Sequence, residues 1–399
     1  MTLPTILPLL ASLALVIAAA KLAGFAANRL GQPAVMGELL IGLILGPSVI
    51  GLFDLSYFHD THVIATLSEI GEIGVIFLMF AAGLEIQRDD LLKAGRPAVL
   101  AGVLGVVVPV AFGTLAALPF GYDWKHAAFI GIVLSATSVS ITAQTLMELN
   151  RLRSREGITL LGAAVVDDVL AIAALSAFIA VFADSGSGGI GGLFWVLARM
   201  ILFLVGAFFI GQWLLPRIAA WADRLPVSEG VMTAVIVMTL SFAWASEVVG
   251  GVAAITGAFI AGVALGRSHL RKEIADGIHT LAYSFFVPVF LISIGLAADF
   301  RQLSPADYGL AAAVCLVAII SKLIGSGVGA KLGGMTWPES WRVGAGMVSR
   351  GEVGLIVAGV GVTSGFIQNN VFAVTVVMVL FTTLAAPIML RAAFQGKEK

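Results

Sequence analysis

Residues 162–172 read G-A-A-V-V-D-D-V-L-A-I, and they place two adjacent aspartates, Asp167 and Asp168, inside an apolar run from about Ile158 to Phe182. A run of this length crosses a bilayer, which takes ~20 apolar residues in helical form. Asp167 stands nine residues beyond Ile158, roughly 13 Å along the helix and close to the midplane. A carboxylate at that depth costs at least ~2.5 kcal/mol, so it is read as functional by default. Neighbouring helical side chains point about 100° apart, so the two aspartates cannot serve one face. One can meet a partner helix while the other faces a pathway. The small residues Gly162, Ala163 and Ala164 permit another helix to come close.

The rest of the chain fits a polytopic membrane protein. Its 399 residues are 59% hydrophobic and 12% charged, against about 25% charged in soluble domains. Hydropathy predicts thirteen spans, at 6–27, 35–52, 66–84, 97–117, 126–149, 157–182, 192–213, 230–247, 252–266, 277–296, 308–330, 342–362 and 371–393. The N-terminal run is read as a retained first span, since it lacks the basic start and small-residue end of a signal peptide. The single cysteine, Cys315, excludes disulfides and cysteine metal centres. The histidines His59, His62, His126, His269 and His279 are dispersed, and Gly325, Gly327 and Gly329 follow no strand, so no phosphate loop is expected. Neither an enzyme, nor a cofactor, nor a nucleic-acid partner is expected.

Basic residues set the topology. The odd-numbered loops and the C-terminal tail, counted with Arg342 and Arg391 at the adjoining span ends, hold 17 of them, including Arg29, Arg88, Lys93, Arg151, Arg153, Arg155, Lys397 and Lys399. The even-numbered loops hold two, Lys125 and Arg301. The positive-inside rule puts the N-terminus outside and the C-terminus in the cytoplasm.

Two segments repeat. Span two reads G-E-L-L-I-G-L-I-L-G from Gly37 to Gly46, and span nine reads G-A-F-I-A-G-V-A-L-G from Gly257 to Gly266. Spans three and ten both end in Gly-Leu, at Gly83-Leu84 and Gly295-Leu296. The offset of seven spans is odd, so the two copies run in opposite senses through the membrane. The same offset pairs span five, with S-A-T-S-V-S-I-T at Ser135–Thr142, to span twelve, with V-S-R-G-E-V-G at Val348–Gly354. Hydroxyl clusters and glycine beside charge suit broken helices, whose freed backbone groups need partners or a wet cavity.

Other charges fall inside spans. Lys322, in I-I-S-K-L-I-G-S-G, either snorkels to an interface or pairs with Asp167 or Asp168. Arg350 and Glu352 sit at the break in span twelve, where they neutralise each other or the half-helix ends. Glu38 and Glu72 read as further buried carboxylates, either as second titrating groups or in packing and entrance roles. Lys21 and Arg199 are placed at interfaces.

A-T-S-V-S-I-T-A-Q-T-L-M-E-L, G-A-A-V-V-D-D-V-L and S-R-G-E-V-G-L-I-V together resemble the bacterial cation/proton antiporters related to NapA and KefC. The resemblance spans nearly the whole chain, from Gly31 to Pro387. It is inexact near Lys322, because a second lysine, Lys331, follows in G-S-G-V-G-A-K. It implies a homodimer of thirteen-helix protomers in the lipid bilayer of the cytoplasmic (inner) membrane. Residues 97–182 and 307–394 would form a core with two broken, crossing helices. Residues 1–96 and 230–306 would form a dimerisation scaffold, with 192–229 a linker helix. It further implies Na⁺ ligation by Asp168 with Asp167, pairing of Asp167 with Lys322, and Thr137 and Ser138 at the first crossing. Members with an Asp-Asp pair resemble electrogenic sodium/proton exchangers. The expectation is elevator-like exchange of Na⁺, with Li⁺ as a second cation, for H⁺ in pH homeostasis. The alternatives are a K⁺/H⁺ antiporter, a K⁺ efflux protein or a non-transporting sensor of the same fold.

Overall fold

The computed structural model describes residues 6–55, 58, 61–86, 94–182, 189–299, 301 and 303–395. Arg88, Lys93, Lys397 and Lys399, used above for the topology, and His59 lie outside the described residues. All regular structure within them is helical.

In chain order the helices are α1 (Ile6–Arg29), α2 (Ala34–Leu45), α3 (Thr61–Glu85), α4 (Gly95–Ala117), α5 (Trp124–Ser135), α6 (Val139–Glu148), α7 (Arg155–Phe182) and α8 (Gly189–Ala222). They continue with α9 (Gly230–Ala245), α10 (Ala254–Leu265), α11 (Arg271–Leu281), α12 (Val287–Leu296), α13 (Tyr308–Leu332), α14 (Trp337–Gly346), α15 (Glu352–Thr363) and α16 (Asn369–Gln395). Ten segments are long and apolar enough to cross a membrane among the described residues. Three shorter apolar helices, Ala34–Leu45, Ala254–Leu265 and Val353–Thr363, fall in predicted spans two, nine and twelve. A 12-residue helix rises only ~18 Å, so the turns at its ends must be sheltered by neighbouring helices.

Glycine contacts expose the inverted repeat. A Cβ on Gly37 would lie 2.3 Å from the carbonyl oxygen of Ala23 in α1, and one on Gly257 would lie 2.1 Å from that of Phe242 in α9. Gly42 meets Ile292 of α12 at 2.5 Å, and Gly262 meets Phe80 of α3 at 2.1 Å. Shifting each helix by seven spans, later for α1 and α2 and earlier for α12, turns each contact of the first copy into its counterpart in the second. Only hydrogen side chains let these backbones approach so closely.

The aspartate helix α7 is held by a second group. Here α4 lies along α13 and packs on α5 and α7. Gly325 and Gly329 of α13 face Leu104 and Leu100 of α4, so that glycine stripe serves helix packing. Phe129, Phe178 and Phe366 stack at one end of this group, with centroids 5.1–5.4 Å apart.

Candidate functional site

Span five stops at Ser135, passes through extended backbone at Ala136 and Ser138, and resumes as α6. Span twelve stops at Gly346 and resumes at Glu352. The two breaks are joined directly. The Ser138 N–H donates to the Ser349 carbonyl at 3.0 Å, and the Ser349 hydroxyl donates to the Ser138 carbonyl at 2.5 Å. Thr142 adds a bond to the Gly346 carbonyl at 2.6 Å. The hydroxyl cluster thus satisfies backbone groups that the breaks release, which a dry interior requires. Gly351 is needed at this contact, since a Cβ there would sit 2.6 Å from the Ser138 Cβ.

Arg350 is completely buried and binds four carbonyl oxygens. They belong to Leu134 at 2.9 Å, Met347 at 3.1 Å, Val348 at 2.7 Å and Ala318 at 3.0 Å. Leu134 and Met347 mark the C-terminal ends of α5 and α14, where the helix dipole is negative. One guanidinium, with its fixed fan of donors, therefore caps both half-helices and ties them to α13. The backbone of Glu352 opens α15, but its side chain lies outside the described ones.

Beside this crossing lie the aspartates. The Lys322 ammonium donates to Oδ1 of Asp167, and neither side chain has any exposed surface. Lys322 therefore does not snorkel. Oδ2 of Asp167 accepts no hydrogen bond of ordinary geometry, although the Thr137 side chain approaches the same carboxylate. Gly105 of α4 faces the pair: a Cβ there would lie at ordinary contact distance from Asp167 Oδ1 (3.4 Å) and Lys322 Nζ (3.6 Å), but only 2.5 Å from the Ser326 hydroxyl, which is the close approach that needs a glycine. Asp168 is 5% exposed, and its Oδ2 accepts from the Thr256 hydroxyl at 3.4 Å. The two aspartates do face different helices: α13 on one side, α10 on the other.

The structure thus brings together Asp167, Asp168, Lys322 and Thr137, with Ser138 and Arg350 at the adjoining crossing. It does not add the other two carboxylates. Glu72, expected to be buried, is exposed. Gly71 and Gly74 turn their side of α3 against Phe290 and Phe286, and residue 72, about 100° around the helix, points away. Glu38 is buried, but its partner is Lys21, at 3.5 Å. Sequence reasoning missed Thr256, Gly105 and Ser349. Thr256 directly precedes the repeat glycine Gly257, which was the available signal.

An ion-paired aspartate and its differently facing neighbour, set beside two crossed helix breaks, can exchange small cations and protons. Residues 13–396 match the family model described as "Sodium/hydrogen exchanger, transmembrane". The chain belongs to the sodium/hydrogen exchanger family. This exchanger is 38% identical over 390 residues to the Na⁺/H⁺-K⁺ antiporter GerN of Bacillus cereus, covering 97% of this chain and 96% of that one. To the Na⁺/H⁺ antiporter of Enterococcus hirae it is 34% identical over 379 residues, 95% of this chain and 96% of the other. The sodium proton antiporter MjNhaP1 from Methanocaldococcus jannaschii has the same fold. The TM-score is 0.71 at 18% identity, with 98% of this chain and 97% of that one covered. As an exchanger, the protein is a multi-pass membrane transporter of cations and protons, and not an enzyme.

Proposed function

We propose that this protein is a secondary antiporter that exchanges Na⁺, with Li⁺ as a second cation, for H⁺ across the cytoplasmic membrane. One observation carries the reading: Asp167, Asp168 and Lys322 are buried together beside the crossing of two broken helices. Asp168 and Asp167 bind a partly dehydrated cation when ionised. Engaging Asp167 takes it from Lys322, whose uncompensated ammonium then releases a proton to water. With Asp168 deprotonated as well, two protons move against one cation, so exchange is electrogenic. Protonation returns the site.

Residues 97–182 and 307–394 act as a core that moves, elevator-like, against a dimerisation scaffold of 1–96 and 230–306, with 192–229 as linker. The protein crosses the inner membrane thirteen times, with its N-terminus outside and its C-terminus in the cytoplasm, as a homodimer. The uneven distribution of basic loops supports this orientation.

The test is reconstitution into vesicles containing a fluorescent pH indicator. A Na⁺ gradient should move protons in the native protein and not in Asp168→Asn. Persistent Na⁺-driven dequenching in that variant would refute the assignment. A second reading, K⁺/H⁺ exchange, is favoured by the K⁺ in the name of the GerN relative. Substituting Na⁺, Li⁺ and K⁺ in the same vesicles separates the two, and absence of proton movement with all three would favour a sensor or a K⁺ efflux protein over either exchanger.

A further inference from the structure

A second group of buried acceptor oxygens lies away from the aspartates, where α6 meets α2 and α2 packs on α1. Glu148, the last residue of α6, accepts from the Ala34 N–H at the start of α2 at 2.9 Å and from the Gln144 amide at 3.1 Å. Glu38 follows Ala34 by one helical turn and is 5% exposed. One of its oxygens lies 3.5 Å from the Lys21 ammonium and fits over Gly24, where a Cβ would come within 3.1 Å. Its other oxygen, Oε2, has no partner, and neither does Oε1 of Gln144, a residue 4% exposed. Oε1 of Gln32, two residues before Ala34, is also unsatisfied.

This is a surplus of acceptors without enough donors. Glu38 and Glu148, brought together by the first turn of α2, face one lysine, Lys21, which leaves a formal charge of −1 when both are ionised. Buried oxygens without donors are costly, and carboxylate and amide oxygens are the ligands that hard cations take. We propose that Glu38, Gln144 and Glu148 form a second cation site, which takes one hard monovalent cation such as Na⁺ and for which protons compete. The charged and titratable groups around it are Lys21 on α1, Glu85 on α3 with its partner Arg153, and Tyr283 beyond α11. Lys21 and Glu38 belong to the scaffold proposed above, and Gln144 and Glu148 to the core. On that reading an occupied site holds core to scaffold and regulates exchange by internal cation and pH.

Binding is tested separately from transport. In the Asp167→Asn/Asp168→Asn protein, which lacks the aspartate site, Na⁺ should still raise Tm in detergent relative to choline. Adding Glu38→Gln should remove that rise. No Na⁺-dependent rise in the double variant, or an undiminished rise with Glu38→Gln, overturns the proposal whether or not the protein exchanges ions. Calorimetry covers the case in which the double variant fails to fold. The otherwise native chain should bind two Na⁺, falling by one in Glu38→Gln and in Gln144→Met, and a stoichiometry that neither substitution lowers overturns the second site.

Discussion

Thr256 on α10 donates a hydrogen bond across 3.4 Å to Oδ2 of Asp168 on α7, which links the glycine-repeat helix to the aspartate pair. On the proposed function this oxygen is a cation ligand, and the hydroxyl then competes with the cation for its electron density. Hydrogen bonds to charged groups contribute about 1.5–3 kcal/mol at good geometry, and this long one falls near or below the lower end. Thr256→Val should therefore lower the apparent KM for Na⁺ by about two- to tenfold at alkaline pH, with maximal rate retained. Thr256→Ser should restore the native value. Initial rates against Na⁺ concentration measure it, and a KM unchanged in Thr256→Val would show that the hydroxyl does not compete.

The Lys322–Asp167 pair predicts an asymmetric pattern of stability. Both side chains are fully buried, so removing one strands the other. Asp167→Asn should cost about 3–5 kcal/mol, seen as a lowered Tm in detergent. Adding Lys322→Met removes the stranded ammonium and should recover most of the loss, while leaving exchange impaired. A double variant no more stable than Asp167→Asn alone would contradict the pairing.

These residues differed in how far sequence could place them. Asp167 and Asp168 were legible because an apolar run of known rise fixes their depth, and helical geometry alone separates their directions. The crossing was legible from hydroxyls and glycine in two segments related by one offset. Spacing alone left the partner of Lys322 open between Asp167 and Asp168, because nothing in one helix says which neighbour stands opposite, and only the family resemblance pointed to Asp167. Glu72 failed for a related reason. Depth says that a carboxylate is inside the span, but only packing of Gly71 and Gly74 on Phe290 and Phe286 decides which way residue 72 points. Glu148 went unmarked because a glutamate at the end of a span is ordinary, until Ala34 of another helix proves to be its donor.

Arg350 should not tolerate replacement by lysine. Its four bonds reach carbonyls on three separate helical elements, and an ammonium offers three donors from a single point. Arg350→Lys should leave at least one buried carbonyl unpaired, at about 1–3 kcal/mol each. The readouts are a lower Tm and loss of exchange, and near-native values for both would argue against its role as a common cap.

Outside the membrane, Glu339 gives a pH-dependent prediction. It closes a capping box at the start of α14, accepting from the Thr336 N–H at 2.7 Å and the Thr336 hydroxyl at 2.9 Å. Partial burial pushes its carboxyl up, but the Thr336 bonds and Arg155 outweigh this and hold it below the ordinary value of 4.5. A carboxylate lowered on folding contributes stability above its unfolded pKa, lost as pH falls through the folded one. Glu339→Gln should cost about 1 kcal/mol at pH 7. The deficit should shrink below pH 4.5, where native Glu339 also becomes protonated. Parallel Tm curves for the two proteins from pH 7 to 3.5 would exclude the linkage.

The last prediction concerns the crossing itself. A Cβ on Gly351 would lie 2.6 Å from the Cβ and 2.7 Å from the hydroxyl of Ser138, and neither position can retreat because backbone bonds join the two breaks. Gly351→Ala should therefore force the helices apart, at a cost of about 1–3 kcal/mol for overpacking, and reduce exchange. The clash names its own remedy. Ser138→Ala keeps the offending Cβ and should not rescue Gly351→Ala, whereas Ser138→Gly removes it and should. The Ser138 N–H and carbonyl survive in both second variants, so the bonds to Ser349 remain possible. Tm and Na⁺-driven proton movement, measured on the two double variants, decide the point. Equal rescue by alanine and glycine would mean that the loss arises from the hydroxyl and not from the approach of the two backbones.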